Sequence, residues 1–424
     1  MEIYIVQPGD TLFQIAARFG ISLERLISDN GLTEESGLAV GQALLILYPS
    51  VVHTVRQGES LYSIALQYQT TVLELLQNNP TLIGRPQLAP GQVLIIAFSG
   101  GKQRTAVVNG YAYPHINRQT LLRALPYLTS LTVFGYGFTE EGALIPAGDQ
   151  ALIDLAVAYG ARPILLFSSI TESGGFSSER ASLLFRNMAV QNTVIANLLA
   201  VMRQKGYVGL DIDFEYIRAE DADGFVQFVQ NVTEKMHAQG YTVQVDLAPK
   251  TSASQEGLLY EGHDYARLGA IADTVLIMTY EWGYTYGPPM AVAPIGPVRS
   301  VVEYAVSVIP NEKIMLGIPN YGYDWTLPFV KGDAARVVGN EGAVRLAAER
   351  GARIEYDETA QTPYFYYWEN GAQHVVWFED ARSIYAKTEL ISEYGLRGAG
   401  YWNLMQRFDQ NWALLAYLFR IAKV

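Results

Sequence analysis

Apolar positions along the chain fall into two regimes. In the first hundred residues they recur at helical spacing: Leu12, Ile15, Ala16 and Phe19, then Leu61, Ile64, Ala65 and Tyr68, each set at i, i+3, i+4, i+7. The segment 6–16 recurs as 55–65, 49 residues on, and Asn30 maps to Asn79 at the same offset. Gly20 is placed to end the first helix, and Thr71 with Glu74 reads as a capping box opening a later one. Short β-type pieces at 3–6 and 43–47, and at 53–55 and 93–97, give each unit the order β-α-α-β. Beyond the polar stretch 99–104 the pattern changes. Eight nearly continuous apolar runs (106–113, 131–138, 163–169, 209–217, 242–248, 274–280, 314–321 and 398–404) alternate with helix-length segments. Such runs are strands buried on both faces, and eight in about 320 residues predict a closed α/β (β/α)8 TIM barrel. The gap before the last strand exceeds one helix. It predicts an α+β insertion over 337–378, with a helix at 339–350 and a hairpin from 364–368 and 374–378. The expected organisation is two small βααβ domains (1–48 and 49–98), a linker (99–104) and a barrel domain (105–424).

Composition narrows the chemistry. Half of the 424 residues are hydrophobic and 17% are charged, which describes a folded chain with a large core. A net charge of −12 repels nucleic acid and anionic membrane. No cysteine is present, and the five histidines show no pair at metal-ligand spacing, so no metal or other cofactor is expected. The start, Met1-Glu2-Ile3-Tyr4-Ile5, lacks the basic and apolar regions of a signal peptide, and apolar runs fall well short of the roughly 20 residues of a membrane span. The expectation is a cytoplasmic product with no membrane insertion.

The fourth run carries the chemistry. In Gly209-Leu210-Asp211-Ile212-Asp213-Phe214-Glu215-Tyr216, strand alternation sets Asp211, Asp213 and Glu215 on one face and Leu210, Ile212 and Phe214 on the other. In a barrel the acids point inward, where burying unpaired carboxylates costs several kcal/mol. An expense of that kind marks a functional site. A divalent-cation cluster is the rival reading of three inward acids.

Two family resemblances rest on these residues. The tandem Gly-(Asp/Glu)-(Ser/Thr)-Leu turns, the Ile-Ala helices and the late Gly41-Gln42 and Gly91-Gln92 resemble LysM domains. That resemblance implies binding of N-acetylglucosamine-containing glycan through Gly9, Asp10, Thr11, Leu12 and Asn30, and through Gly58, Glu59, Ser60, Leu61, Asn79 and Pro80. The acidic strand resembles the glycoside hydrolase family 18 signature, with Val208 in place of its first acid. So do Gly110-Tyr111, Phe134-Gly135-Tyr136, Met278-Thr279-Tyr280, the run from Leu316 to Gly322 and Tyr401-Trp402; Glu281 stands where many members carry Asp. This resemblance implies a retaining mechanism in which the substrate's acetamido oxygen is the nucleophile. It makes Glu215 the general acid, gives Asp213 the acetamido N–H with Asp211 sharing a proton, and has Tyr280 orient the acetamido oxygen. Trp402 becomes the floor under the sugar, with Tyr111, Ser168, Glu281 and Met278 as further substrate-binding candidates.

The pairing of domains, with 357–365 and 377–383, is similar to the cortical-fragment-lytic enzymes of spore-forming bacteria. This implies an N-acetylglucosaminidase acting on spore-cortex peptidoglycan, made in the mother-cell cytoplasm and located at the spore coat or cortex. A LysM-anchored chitinase and a non-catalytic glycan-binding coat protein are the alternatives.

Overall fold

The computed structural model describes residues 1–100, 102 and 104–423. In the first small unit the strands Glu2–Ile5 and Ala43–Ile46 pair antiparallel around two helices, Leu12–Phe19 and Leu23–Asp29. The second repeats this with Pro49–Thr54 and Val93–Phe98 around Leu61–Gln67 and Val72–Asn78. Thr11 accepts the Gln14 N–H at the first helix start, and Gly20 closes it at φ 64°, where a side chain would be strained. The box expected at Thr71 and Glu74 is half formed. Thr71 accepts the Glu74 N–H, but the Glu74 carboxylate turns to the Thr70 hydroxyl (2.6 Å) and Lys102 (3.3 Å).

Eight parallel strands close the barrel: Arg104–Ala112, Ser130–Phe138, Arg162–Ser168, Gly209–Asp213, Thr242–Leu247, Thr274–Ile277, Ile314–Pro319 and Gly398–Trp402. The first pairs with both the second and the eighth, which completes the ring. Arg104, expected in the linker, begins the first strand and donates to the carbonyls of Ile391 and Leu396. Gly101 and Gln103 of that linker lie outside the described residues.

The insertion is larger than its sequence pattern suggests. A five-stranded antiparallel sheet begins at Gly322, ahead of the expected position 337, and carries the helix Asn340–Glu349 and the hairpin Thr362–Glu369 with Ala372–Trp377. Its first strand, Gly322–Leu327, follows the seventh barrel strand after a two-residue break, so their apolar runs merge in sequence. The break is held by Asn320, whose amide donates to the carbonyls of Asn403 and Gln406.

Both small units pack on the barrel domain. Gln410 donates to the Asn30 side chain (2.8 Å) and the Ala43 carbonyl (2.9 Å), and the Ile354 N–H donates to the Val40 carbonyl. Gln77 donates to the Pro126 carbonyl, and the Tyr127 hydroxyl donates back to the Gln77 carbonyl. Among the described residues no helix is long and apolar enough to cross a membrane.

Candidate active site

Leu210, Ile212 and Phe214 leave the fourth strand toward the helices, where the Phe214 ring lies 5.6 Å from Phe185 and 5.9 Å from Phe228. That apolar anchoring turns Asp211 and Asp213 into the barrel, where they are 0% and 4% exposed. Glu215 stands just beyond the strand end, at the base of an open cleft of about 610 Å³. His263 braces this turn. It is fully buried, accepts the Ala248 N–H on Nδ1 and donates from Nε2 to the Phe214 carbonyl (3.0 Å). Burial lowers its pKa to about 4, so it stays neutral and keeps that donor.

A fourth acid joins the three expected ones. Asp246, buried on the fifth strand, accepts the Tyr111 hydroxyl on both oxygens (3.0 and 2.9 Å). Its carboxyl also contacts Asp211, and Gln244 donates to both acids (2.8 Å to Asp211, 3.1 Å to Asp246). The sequence holds a signal for it: Thr242, Gln244 and Asp246 alternate with Val243, Val245 and Leu247.

Burial, followed by like charge, governs the electrostatics. Asp211 is raised to about 7 by burial against the pull of its hydrogen-bond donors. Asp213 is pushed well above the usual range by burial and the charges of Glu215 and Asp211, and Asp246 by burial and the charges of Asp211 and Asp213. Glu215 rises to about 7 through burial and the nearby Glu281 carboxylate. A carboxylic acid near 7 is fitted to donate a proton at neutral pH.

Tyr280, buried beside these acids, lines the cleft with Met278, Glu281 and Trp402. Its ring passes so close to the seventh strand that a Cβ on Gly317 would lie 2.9 Å from it. Trp402 packs edge-on against Tyr111, Tyr113 and Phe134 at centroid distances of 5.8, 5.9 and 5.3 Å. Glu281, at φ 68°, accepts the hydroxyls of Tyr321 and Tyr323. Two expected substrate contacts lie deeper. Tyr111 (1% exposed) donates to Asp246, and Ser168 (0% exposed) is level with Asp213 on the neighbouring strand with its hydroxyl unpartnered; neither lines the cleft, and of the two only Tyr111 bonds an acid. The aromatic wall of Tyr216, Tyr260, Trp282 and Tyr284 was not expected, although the run from Tyr280 to Tyr284 is rich in rings. Among the described residues no group of three or more His, Asp or Glu side chains is placed to hold a metal ion; Asp211 and Asp246 accept from amide and hydroxyl donors, while Asp213 Oδ1 has no partner.

In the two small units most expected glycan contacts are engaged within the unit. Gly9 and Gly58 hold left-handed turns (φ 87° and 86°). Asp10 accepts from the Gln7 N–H and Tyr4, Glu59 from the Arg56 N–H and His53, and Thr11 and Ser60 cap helices. Leu12, Leu61 and Pro80 are buried. Asn30 bonds the carbonyls of Leu26 and Leu45 and the Leu45 N–H, and Asn79 repeats this with Leu75 and Ile95. These asparagines tie the second helix to the second strand. Phe13 and Tyr62, at equivalent repeat positions, are large apolar side chains that face outward, each 72% exposed.

Comparison with known proteins agrees with this architecture. The profile of Glycosyl hydrolases family 18 matches residues 169–406, and that of the LysM domain matches 4–46 and 53–97. The chain is 38% identical to the cortical fragment-lytic enzymes of Bacillus anthracis and Bacillus subtilis (strain 168), covering 100% of this chain and 99% of each relative. The crystal structure of the Bacillus cereus spore cortex-lytic enzyme SleL superposes with a TM-score of 0.84 at 38% identity, covering 100% of this chain and 98% of that one. A chitinase from Chromobacterium violaceum matches at TM-score 0.69 and 28% identity, over 74% of this chain and 98% of that one. The chain is a glycoside hydrolase that belongs to family 18 and carries two LysM domains at its N-terminus.

Proposed function

We propose that this enzyme hydrolyses the β-1,4 bond that follows N-acetylglucosamine in spore-cortex peptidoglycan, with retention of configuration and through an oxazolinium intermediate. The observation that carries the reading is the placement of Glu215, an acid raised to about 7, at the cleft base directly beyond buried Asp213. Glu215 protonates the glycosidic oxygen as the bond breaks. The sugar's acetamido oxygen closes on C1, so no enzyme carboxylate forms a bond to carbon. Asp213 accepts the acetamido N–H and balances the positive charge that develops on the ring, while Asp211 and Asp246 hold a proton between them. Water then attacks C1 as Glu215 takes its proton back. Tyr280 orients the acetamido oxygen and Trp402 supports the sugar face.

Muramic δ-lactam ties its nitrogen into a ring and has no free acetamido oxygen. N-acetylglucosamine must therefore occupy the cleaved position when lactam is its neighbour. The LysM units bring the enzyme to the polymer and raise the local substrate concentration. Digestion of purified cortex should leave N-acetylglucosamine at the new reducing ends, and Glu215→Gln should abolish cleavage while the protein still sediments with cortex. Muramic acid alone at those ends, or turnover of chitin oligomers as fast as cortex fragments, would redirect the assignment.

A further inference from the structure

A second cleft, of about 460 Å³, opens where the first LysM unit meets the insertion, and it shares no lining residue with the active-site cleft. The loop following Asn30 forms one wall and the helix Asn340–Glu349 the other. The walls are set tightly. A Cβ on Gly31 would lie 2.3 Å from the Glu341 carboxylate, and one on Gly41 would lie 1.9 Å from the Ile354 carbonyl oxygen.

Two recessed side chains on this cleft, Asn340 and Glu379, are each 1% exposed. They are joined, since the Asn340 Oδ1 accepts the Glu379 N–H at 2.9 Å. Each keeps one polar atom without a protein partner: the Asn340 Nδ2, a donor, and the Glu379 Oε1, an acceptor. A buried donor beside a buried acceptor is unfavourable unless a ligand or water completes both. The cleft is far larger than one water, which takes about 30 Å³ of liquid volume. Glu379 is neutralised by Lys387 (2.8 Å), so the unmet demand is that of a dipole and not of an ion. A secondary amide meets it, its carbonyl accepting from Asn340 and its N–H donating to Glu379. Val344 and Ala348 supply apolar surface for a methyl group on the same wall.

We infer that this composite cleft binds an acetamido sugar of the glycan, clamped between the first LysM unit and the insertion while the active site works on another part of the chain. The inference rests on the glycan reading given above. It is tested with the full-length Glu215→Gln protein and tetra-N-acetylchitotetraose, followed by hydrogen exchange and calorimetry, with the glucosamine tetramer as the amide-free control. The acetylated tetramer should protect 31–37 and 340–349 as well as 278–286 at the active site. Val344→Phe or Ala348→Leu, which fill the cleft, should weaken protection at 31–37 and 340–349 at least tenfold. The same substitutions in the otherwise unaltered enzyme should leave hydrolysis of a short substrate unchanged. Protection at 278–286 alone, or equal protection by the glucosamine tetramer, overturns the inference and leaves the proposed function standing. Absence of protection at every segment, with cortex fragments as well as with the tetramer, overturns both.

Discussion

The carboxyl of Asp246 meets that of Asp211 from the adjacent strand, with the Tyr111 hydroxyl donating to both oxygens of Asp246. Two carboxyls in contact hold a proton between them, because like charges at that range do not both ionise in a buried site. Asp246, which lines the cleft with Asp213, thus sets the charge of the group beside it through its contact with Asp211. Asp246→Asn should lower kcat about 10- to 100-fold with little change in KM, the cost of a small displacement of the acids it touches. An Asp246→Asn enzyme whose pH–rate profile and kcat match the wild type would show that this proton has no part in catalysis.

Glu215 must carry a proton to act, and it titrates at about 7. The alkaline limb of kcat/KM should therefore begin near pH 7 and fall about tenfold per unit above it. The Glu281 carboxylate raises Glu215 by like charge, so neutralising it as Glu281→Gln moves that limb to lower pH, by less than about one unit. Movement in the opposite direction would mean that Glu281 acts through the Tyr321 and Tyr323 hydroxyls rather than through its charge.

Much of this was legible because periodicity and chemistry coincide. Eight apolar runs mark eight barrel strands, and the alternation through Asp211, Asp213 and Glu215 selects the inward face before any fold is known. Asp246 escaped because 242–248 reads as one more buried apolar run, and the shared face of Thr242, Gln244 and Asp246 turns inward only when the neighbouring strands enclose it. The insertion start escaped because a strand leaving the barrel and the strand entering the next sheet form one apolar run. The LysM resemblance implies that Asn30 and Asn79 touch glycan. Their repetition marks a requirement of the unit, and three hydrogen bonds within the unit give each of them a folding role that the sequence does not display.

The acid cluster opposes folding at neutral pH. Asp211, Asp213 and Asp246 all titrate above the roughly 3.9 of an unfolded aspartate, so the native state binds protons that the unfolded chain has released. Stability from this source is complete below about pH 4 and declines as pH rises through 7. At the acid end Asp149 acts the other way. Despite its burial, hydrogen bonds from Lys205, Tyr136 and Tyr207 hold it below the usual range, so its contribution is lost as pH drops below about 4. Thermal unfolding should therefore show its highest midpoint on the mildly acidic side of neutrality. Asp213→Asn should raise the midpoint at pH 8 by about 2–5 °C while depressing activity, with little gain at pH 4. Equal effects at both pH values would remove ionisation as the cause.

His263 separates the geometry of the acid from its charge. The ring reaches the Phe214 carbonyl one residue before Glu215 and takes the Ala248 N–H on its other nitrogen, so it fixes the turn between strand end and acid. His263→Leu removes both bonds and leaves a buried carbonyl and a buried N–H unmet, at a cost of about 2–4 kcal/mol. His263→Gln can restore one of them. Glu215 then sits in the same electrostatic surroundings but on a looser turn. The expectation is a fall in kcat for His263→Leu, partial recovery for His263→Gln, and an alkaline limb still near pH 7 in both. A shift of that limb, or full activity in His263→Leu at a temperature where it remains folded, would show that the strand and its phenylalanine anchor hold the acid unaided.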